Sequence, residues 1–103
     1  MNYTVDLTDE ALEDYDEASA YYEQQKMGLG FDFSFRLTET LEMIENAPSI
    51  HPSVEGNVRY AHLKQFPYKV FFEFEKNQPE VMVFAILHDK RHPDYWRKRR
   101  EGY

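Results

Sequence analysis

The sequence predicts an α+β fold of order β-α-α-β-β-β: an antiparallel-rich sheet, a two-helix hairpin packed on one face, and a short basic C-terminal segment. Three observations carry this reading. Apolar residues recur at helical spacing in the first half. Gly28 and Gly30 interrupt that pattern once, as a turn between two helices would. From Val58 onward the period changes to two, or gives way to a continuous apolar run, as strands do.

Tyr3, Val5 and Leu7 alternate with polar residues and suit a first strand over 3–7. Thr8 is placed as a helix N-cap, with Asp9 and Glu10 in the first turn, where negative charge suits the helix dipole. Ala11, Tyr15, Ala18 and Tyr22 form one helical stripe. Glu10, Glu13, Asp14 and Glu17 fall on a different face and read as a solvated acidic row. The second helix is expected over 31–45, with Phe33, Leu37, Leu41 and Ile44 as its apolar stripe and Asn46-Ala47-Pro48 as its stop. Residues 48–57 read as a loop. Strands follow at 58–64, 68–75 and 81–88, the last two joined by the turn Lys76-Asn77-Gln78-Pro79. The run from Val81 to Leu87 is apolar without alternation, so its strand should be buried on both faces.

At 103 residues the chain is expected to form a single domain, 1–103. It has no cysteine, which excludes disulfides and thiolate chemistry. No stretch approaches the ~20 apolar residues that span a bilayer, and the first residues lack a signal-peptide pattern, so a cytoplasmic location is expected. The net charge of −7 disfavours simple nucleic-acid affinity. That charge is unevenly spread. Residues 1–57 hold 13 Asp/Glu against 2 Lys/Arg, whereas residues 58–103 hold 6 against 10. The four histidines are not at metal-ligand spacing, and no metal site is expected.

Several segments together resemble the RelE/ParE superfamily of bacterial toxins from type II toxin–antitoxin systems. Gly30, Phe33, Leu37, Leu41 and Pro48 resemble its second-helix pattern. Arg59, Leu63 and the run Phe66-Pro67-Tyr68-Lys69-Val70-Phe71-Phe72 resemble its strand segment. Ile86-Leu87-His88-Asp89-Lys90-Arg91-His92-Pro93-Asp94-Tyr95-Trp96-Arg97 resembles its ending, closest to the ParE-like, or plasmid stabilisation, branch. The resemblance implies a toxin neutralised by a cognate antitoxin protein. It would act by binding DNA gyrase on the ParE pattern, or by cutting messenger RNA on the ribosome on the RelE pattern. A third alternative is a non-toxic protein-binding domain that keeps the fold. No cofactor, membrane or small-molecule substrate is implied.

The candidate residues follow from chemistry and resemblance together. Arg91, just past the last strand, suits a bidentate phosphate clamp, or a salt bridge to Asp89, Asp94 or a helix carboxylate. Lys69 stands where RelE-like nucleases carry an arginine, and is otherwise a solvated lysine on an open sheet face. Arg59 is expected on the same face as Lys69, or paired with Glu73 or Glu75. His88 and His92 suit acid–base work near neutral pH, with Tyr95 as a further donor; His88 alternatively shapes the strand end. A nuclease would thus use Arg91, Lys69, Arg59 and His88. Target or phosphate binding would use Arg91, His92, Tyr95, Arg97 and Arg99. Tyr95 and Trp96 could stack on a base or anchor the C-terminal segment. His51 and His62 look incidental. Tyr21, Tyr22, Phe31 and Phe35 are candidates for an apolar surface covered by the antitoxin.

Overall fold

The computed structural model describes residues 3–102; Met1, Asn2 and Tyr103 of the expected span 1–103 lie outside the described residues. The elements are β1 (Thr4–Leu7), α1 (Asp9–Gln25), α2 (Leu29–Asn46), a 3-10 turn (Pro48–Ile50), β2 (Ser53–Glu55), β3 (Val58–His62), β4 (Tyr68–Phe74), β5 (Glu80–His88) and α3 (Pro93–Glu101). The sheet order is β1-β5-β4-β3-β2. β1 runs parallel to β5, and every other pair is antiparallel. The α+β order is the expected one, with two corrections. The expected loop 48–57 contains the edge strand β2, and the basic C-terminal segment is a helix, started by Pro93 at its first turn and capped by His92.

Thr8 caps α1 as expected, its Oγ1 accepting the Ala11 amide at 3.1 Å. Gly28 turns the chain at φ 89°, a left-handed conformation that glycine adopts without strain. The Glu23 carboxylate then accepts the Gly28 amide at 3.0 Å and the Gly30 amide at 3.0 Å, filling the open N-terminus of α2 with negative charge. Gly30 lets the two helices touch: a Cβ there would meet the Ser19 carbonyl oxygen at 2.8 Å.

The hairpin packs on one face of the sheet. Ala11, Ala18, Phe33, Leu37 and Ile44 meet Val70, Phe72, Val83 and Ile86 in the main core. The other face is not open. Trp96 of α3 lies on it with Val58, Phe71, Phe84, Ala85 and Leu87, and its ring stacks on Phe71 at 5.7 Å. β5 is therefore covered on both sides, as its unbroken apolar run predicts. Its register against β4 shifts between Phe71 and Phe72, so that Phe71 faces Ala85 and Phe72 faces Val83. This bulge puts the consecutive residues Phe84 and Ala85 into the same cluster beneath α3.

β1 ends opposite Val83, which leaves the later part of β5 without a strand neighbour on that side. Two side chains serve its main chain there. Asp14 of α1 accepts the Ile86 amide at 3.0 Å, and Arg99 of α3 donates to the Phe84 carbonyl at 3.1 Å. The two side chains also grip each other bidentately, at 2.7 and 3.0 Å, and are only 13% and 14% exposed. Asp14 is thus no member of a solvated acidic row.

Removing either member leaves a desolvated charge and a main-chain group without its partner. Asp14→Ala and Arg99→Ala are each expected to cost about 3 kcal/mol, and the double variant markedly less than the sum, in urea unfolding. Gly30→Ala is expected to cost about 1–3 kcal/mol by forcing the helices apart, despite alanine's better helix propensity.

Candidate functional site

The chemistry concentrates where β3, β4 and β5 present the ends His62, Lys69 and Asp89, and on the turn leading into α3. Cross-strand register decides which side chains can meet. His62 faces Lys69, Tyr60 faces Phe71, and Arg59 faces Phe72. Phe71 lies beneath α3, whereas Phe72 belongs to the core under the hairpin. Lys69, Tyr60 and His62 therefore share the α3 face, and Arg59 points to the other one. The expectation that Arg59 joins Lys69, or pairs with Glu73 or Glu75, is corrected. Its Nη1 donates to the His51 carbonyl at 2.6 Å, tying β3 to the 48–52 turn.

On the α3 face, Asp89 accepts from Lys69 Nζ at 3.0 Å and lies 2.8 Å from His62 Nε2, while His62 Nδ1 lies 2.7 Å from the Leu63 carbonyl. Lys69 also sits over the Tyr60 ring at 5.6 Å. It is neither solvated nor on an open face. Burial alone would raise the Asp89 pKa, but the hydrogen bonds and charges of His62 and Lys69 outweigh it and hold the carboxyl below its ordinary range. His62 is not incidental: it helps fix the residue that begins the turn carrying Arg91.

His88 lies on the hairpin side, its ring edge-on to Tyr68 at 5.3 Å. Its Nδ1 accepts the Lys90 amide at 3.0 Å, and His92 Nδ1 likewise accepts the Asp94 amide at 3.1 Å. A neutral imidazole that accepts at Nδ1 carries its proton on Nε2, so neither ring offers a free lone pair as a general base. Burial raises the Tyr68 hydroxyl above its ordinary pKa, so it stays protonated and is not available as a base. The four residues of the nuclease expectation are thereby divided: Lys69 on one face, Arg59 and His88 on the other, and Arg91 on the turn between them.

The arginines of α3 have partners that the sequence did not disclose. Arg97 Nε reaches Glu55 of β2 at 3.2 Å, Arg99 holds Asp14 of α1, and Arg100 Nη2 meets Glu73 of β4 at 2.6 Å. Hydrogen bonding to Asp14 raises the Arg99 pKa further, so it stays charged. Three side chains thus fasten one helix to three different elements. Trp96 is buried, and Arg97 lies over its ring at 5.1 Å. Tyr95 stays 39% exposed, with Arg91 over its ring at 4.3 Å. Among the described residues, Lys90, Arg91 and Lys98 form no ion pair. They line a shallow basin with His92, Tyr95 and Asp94, whose carboxylate is paired with Arg97, so the basin is an exposed ground of net positive charge.

A second surface lies on the hairpin. Tyr21, Met27, Phe31 and Phe35 are 56%, 90%, 75% and 55% exposed, far above what a folded core leaves outside by chance. Tyr22 does not belong with them; it packs against Phe33, Phe66 and Tyr68. Among the described residues no cluster of three or more His, Asp or Glu is placed to hold a metal ion, and no helix is long and apolar enough to cross a membrane.

A sheet of this order with a helical hairpin packed on one face is the fold this chain shares with solved toxins of the RelE/ParE superfamily. More narrowly, the chain belongs to the ParE toxin family of type II toxin–antitoxin systems, whose model matches residues 5–93. Solved structures share the fold. A chain of a chromosomal ParDE toxin–antitoxin system from P. aeruginosa superposes with a TM-score of 0.69 at 18% identity, covering 84% of this chain and 95% of that one. A free-state arginine variant of the E. coli toxin RelE gives 0.67 at 13% identity over 100% of both chains. A RelBE toxin–antitoxin complex from Mycobacterium tuberculosis gives 0.61 at 12% identity, covering 85% and 99%. No protein of curated function shows significant sequence similarity to the chain.

Two groups with lowered pKa values, His51 and Asp89, make stability fall in acid. His51, read as incidental, is buried against the Phe72 ring edge, and among the described residues its Nε2 has no hydrogen-bond partner. Burial lowers its pKa, outweighing a hydrogen bond to the Met43 backbone that favours the charged ring, and the Arg59 charge lowers it further. A depressed folded-state pKa gives stability that is present above the ordinary histidine value of about 6.5 and lost as pH falls below it. The same sign applies to Asp89 below about pH 4. Urea midpoints should therefore fall from pH 7 to 5 in the wild type and stay flatter in His51→Phe. Asp89→Asn should flatten only the loss below about pH 4, by under about 1 kcal/mol because the ion pairs are partly exposed.

Proposed function

We propose that the chain is the toxin of a two-protein pair, that residues 1–103 form one toxin domain working in the cytoplasm, and that it inhibits growth by binding a protein target such as DNA gyrase. One observation carries the choice of binding over RNA cleavage: Arg91 borders one cavity with Lys69 and another with His88, but Lys69 lies on the opposite sheet face from Arg59 and His88, and His88 and His92 each spend the nitrogen a base would need on a main-chain amide. On this reading no cofactor, metal or small-molecule substrate takes part. Arg91 is the first candidate for target contact, because it is exposed, makes no ion pair among the described residues and lies in the remaining basic ground with His92 and Tyr95. Arg97 and Arg99 contribute chiefly by holding α3 in place.

The antitoxin would cover Tyr21, Met27, Phe31 and Phe35. These residues stand on the helical hairpin, Met27 in its turn and the others on the two helices that carry most of the chain's carboxylates, so the fitting partner is an amphipathic helix with basic residues beside its apolar stripe.

Induction of the wild type in bacteria is expected to arrest growth and change plasmid supercoiling, without new 5′ ends in messenger RNA by primer extension. Arg91→Ala should relieve most of the arrest. Normal growth at high expression, or fresh 5′ ends, would count decisively against the reading. Replacing Phe31 and Phe35 together by serine should weaken binding of the antitoxin encoded beside the toxin by about 2 kcal/mol, some 30-fold, in calorimetry, with thermal stability unchanged.

A further inference from the structure

A cavity of about 240 Å³ opens on the α3 face beneath the start of that helix. Its floor is aromatic: Phe71 and Trp96, stacked on each other, with Tyr60 beside them. Val54 of the edge strand and Pro93 of α3 form apolar walls, and Lys69 and Arg91 stand at the rim. We infer that this cavity is the anchoring pocket of the toxin's protein target, receiving one apolar side chain from an acidic segment of that target. The inference rests on the binding reading proposed above and adds to it the place and the chemistry of the contact.

Three observations select this occupant. Size comes first: about 240 Å³ falls below the roughly 300 Å³ at which small-molecule sites begin, and suits a single large side chain of a bigger partner. The second is the state of the rings. A nucleobase needs a free aromatic face, but Lys69 lies over Tyr60, Arg97 over Trp96, and Phe71 is covered by Trp96. Each of the three rings thus has one face already taken, and an aliphatic or phenyl group held between the apolar walls does not need the open face that a stacked base does. Charge is the third. Asp89, the one acid lining the cavity, is engaged by Lys69 and His62, while Arg91 forms no ion pair among the described residues. Arg91 also borders the basin with Lys90 and Lys98, so positive ground continues outward from the rim in an otherwise acidic protein.

The chain has one tryptophan, and it forms the floor, so its fluorescence reports on the cavity directly. The probe is the peptide acetyl-Glu-Glu-Phe-Glu-Glu-amide. Its controls are the same peptide with glycine at the centre, the phenylalanine peptide flanked by lysines, and the dinucleotide pUpU. A saturable Trp96 response to the acidic phenylalanine peptide is expected, several-fold weaker in Arg91→Ala and abolished in Val54→Phe, which fills the space from an exposed edge position. Circular dichroism and melting temperature should be unchanged in both variants. An equal response to the glycine or lysine controls, tighter binding of pUpU, or no saturation in the millimolar range overturns the inference. Growth arrest by the wild type is scored separately. Arrest without a peptide response removes the pocket and leaves the function, whereas a peptide response without arrest removes the function and leaves the pocket.

Discussion

The bidentate grip between Asp14 and Arg99 is the interaction on which the three-layer arrangement depends. The helices that bear these residues lie on opposite faces of the sheet, and they meet only where β1 has stopped short along β5. An uncovered strand edge would expose unpaired amides and carbonyls and invite another chain to add to the sheet. Here a carboxylate and a guanidinium take the places of main-chain acceptor and donor, and each satisfies the other's remaining capacity. The pair therefore closes the edge, fixes the bulge at Phe84 and holds α3 down with one set of hydrogen bonds.

With α3 held, the sheet becomes a partition between two chemistries. Most of the acidic residues stand on the hairpin, and most of the basic ones on α3 and on the strands and turns around it. The uneven charge of the two halves of the sequence is thus an uneven charge of two faces in space. Each face also keeps its own apolar feature: an exposed aromatic group on the hairpin and a small cavity beside α3. A protein that must be bound by one partner and act on another gains from such separation, since complementary charge steers each partner to its own side.

What was legible in the sequence was what local rules govern. Thr8, the Ala11-Tyr15-Ala18-Tyr22 stripe, the glycine turn and the doubly buried β5 each follow from capping, periodicity or composition over a few residues. The remainder depended on distant partners. Asp14 looks like its solvated neighbours until Arg99 is brought beside it from the far end of the chain. The face of Arg59 depends on the register of β3 against β4, which sets it opposite Phe72 and away from Lys69, and no local pattern in either strand discloses that register. The basic run at the end showed charge but hid a helix, whose one buried residue, Trp96, gives no repeat to recognise. The histidines were misjudged for a related reason: His51 and His62 draw their roles from burial and from Asp89, neither of which spacing reveals.

The parallel pairing of β1 with β5 sets an order in time as well as in space. Thr4 is made long before its partner Glu80, and Arg99 comes later still. Of the early elements, only the α1–α2 hairpin can form from neighbouring residues as the chain emerges. The sheet cannot close, and its first strand has nothing to lie against, until β5 has been made. A growing chain of this kind therefore carries its acidic, aromatic hairpin into solution well before the basic face beside α3 exists.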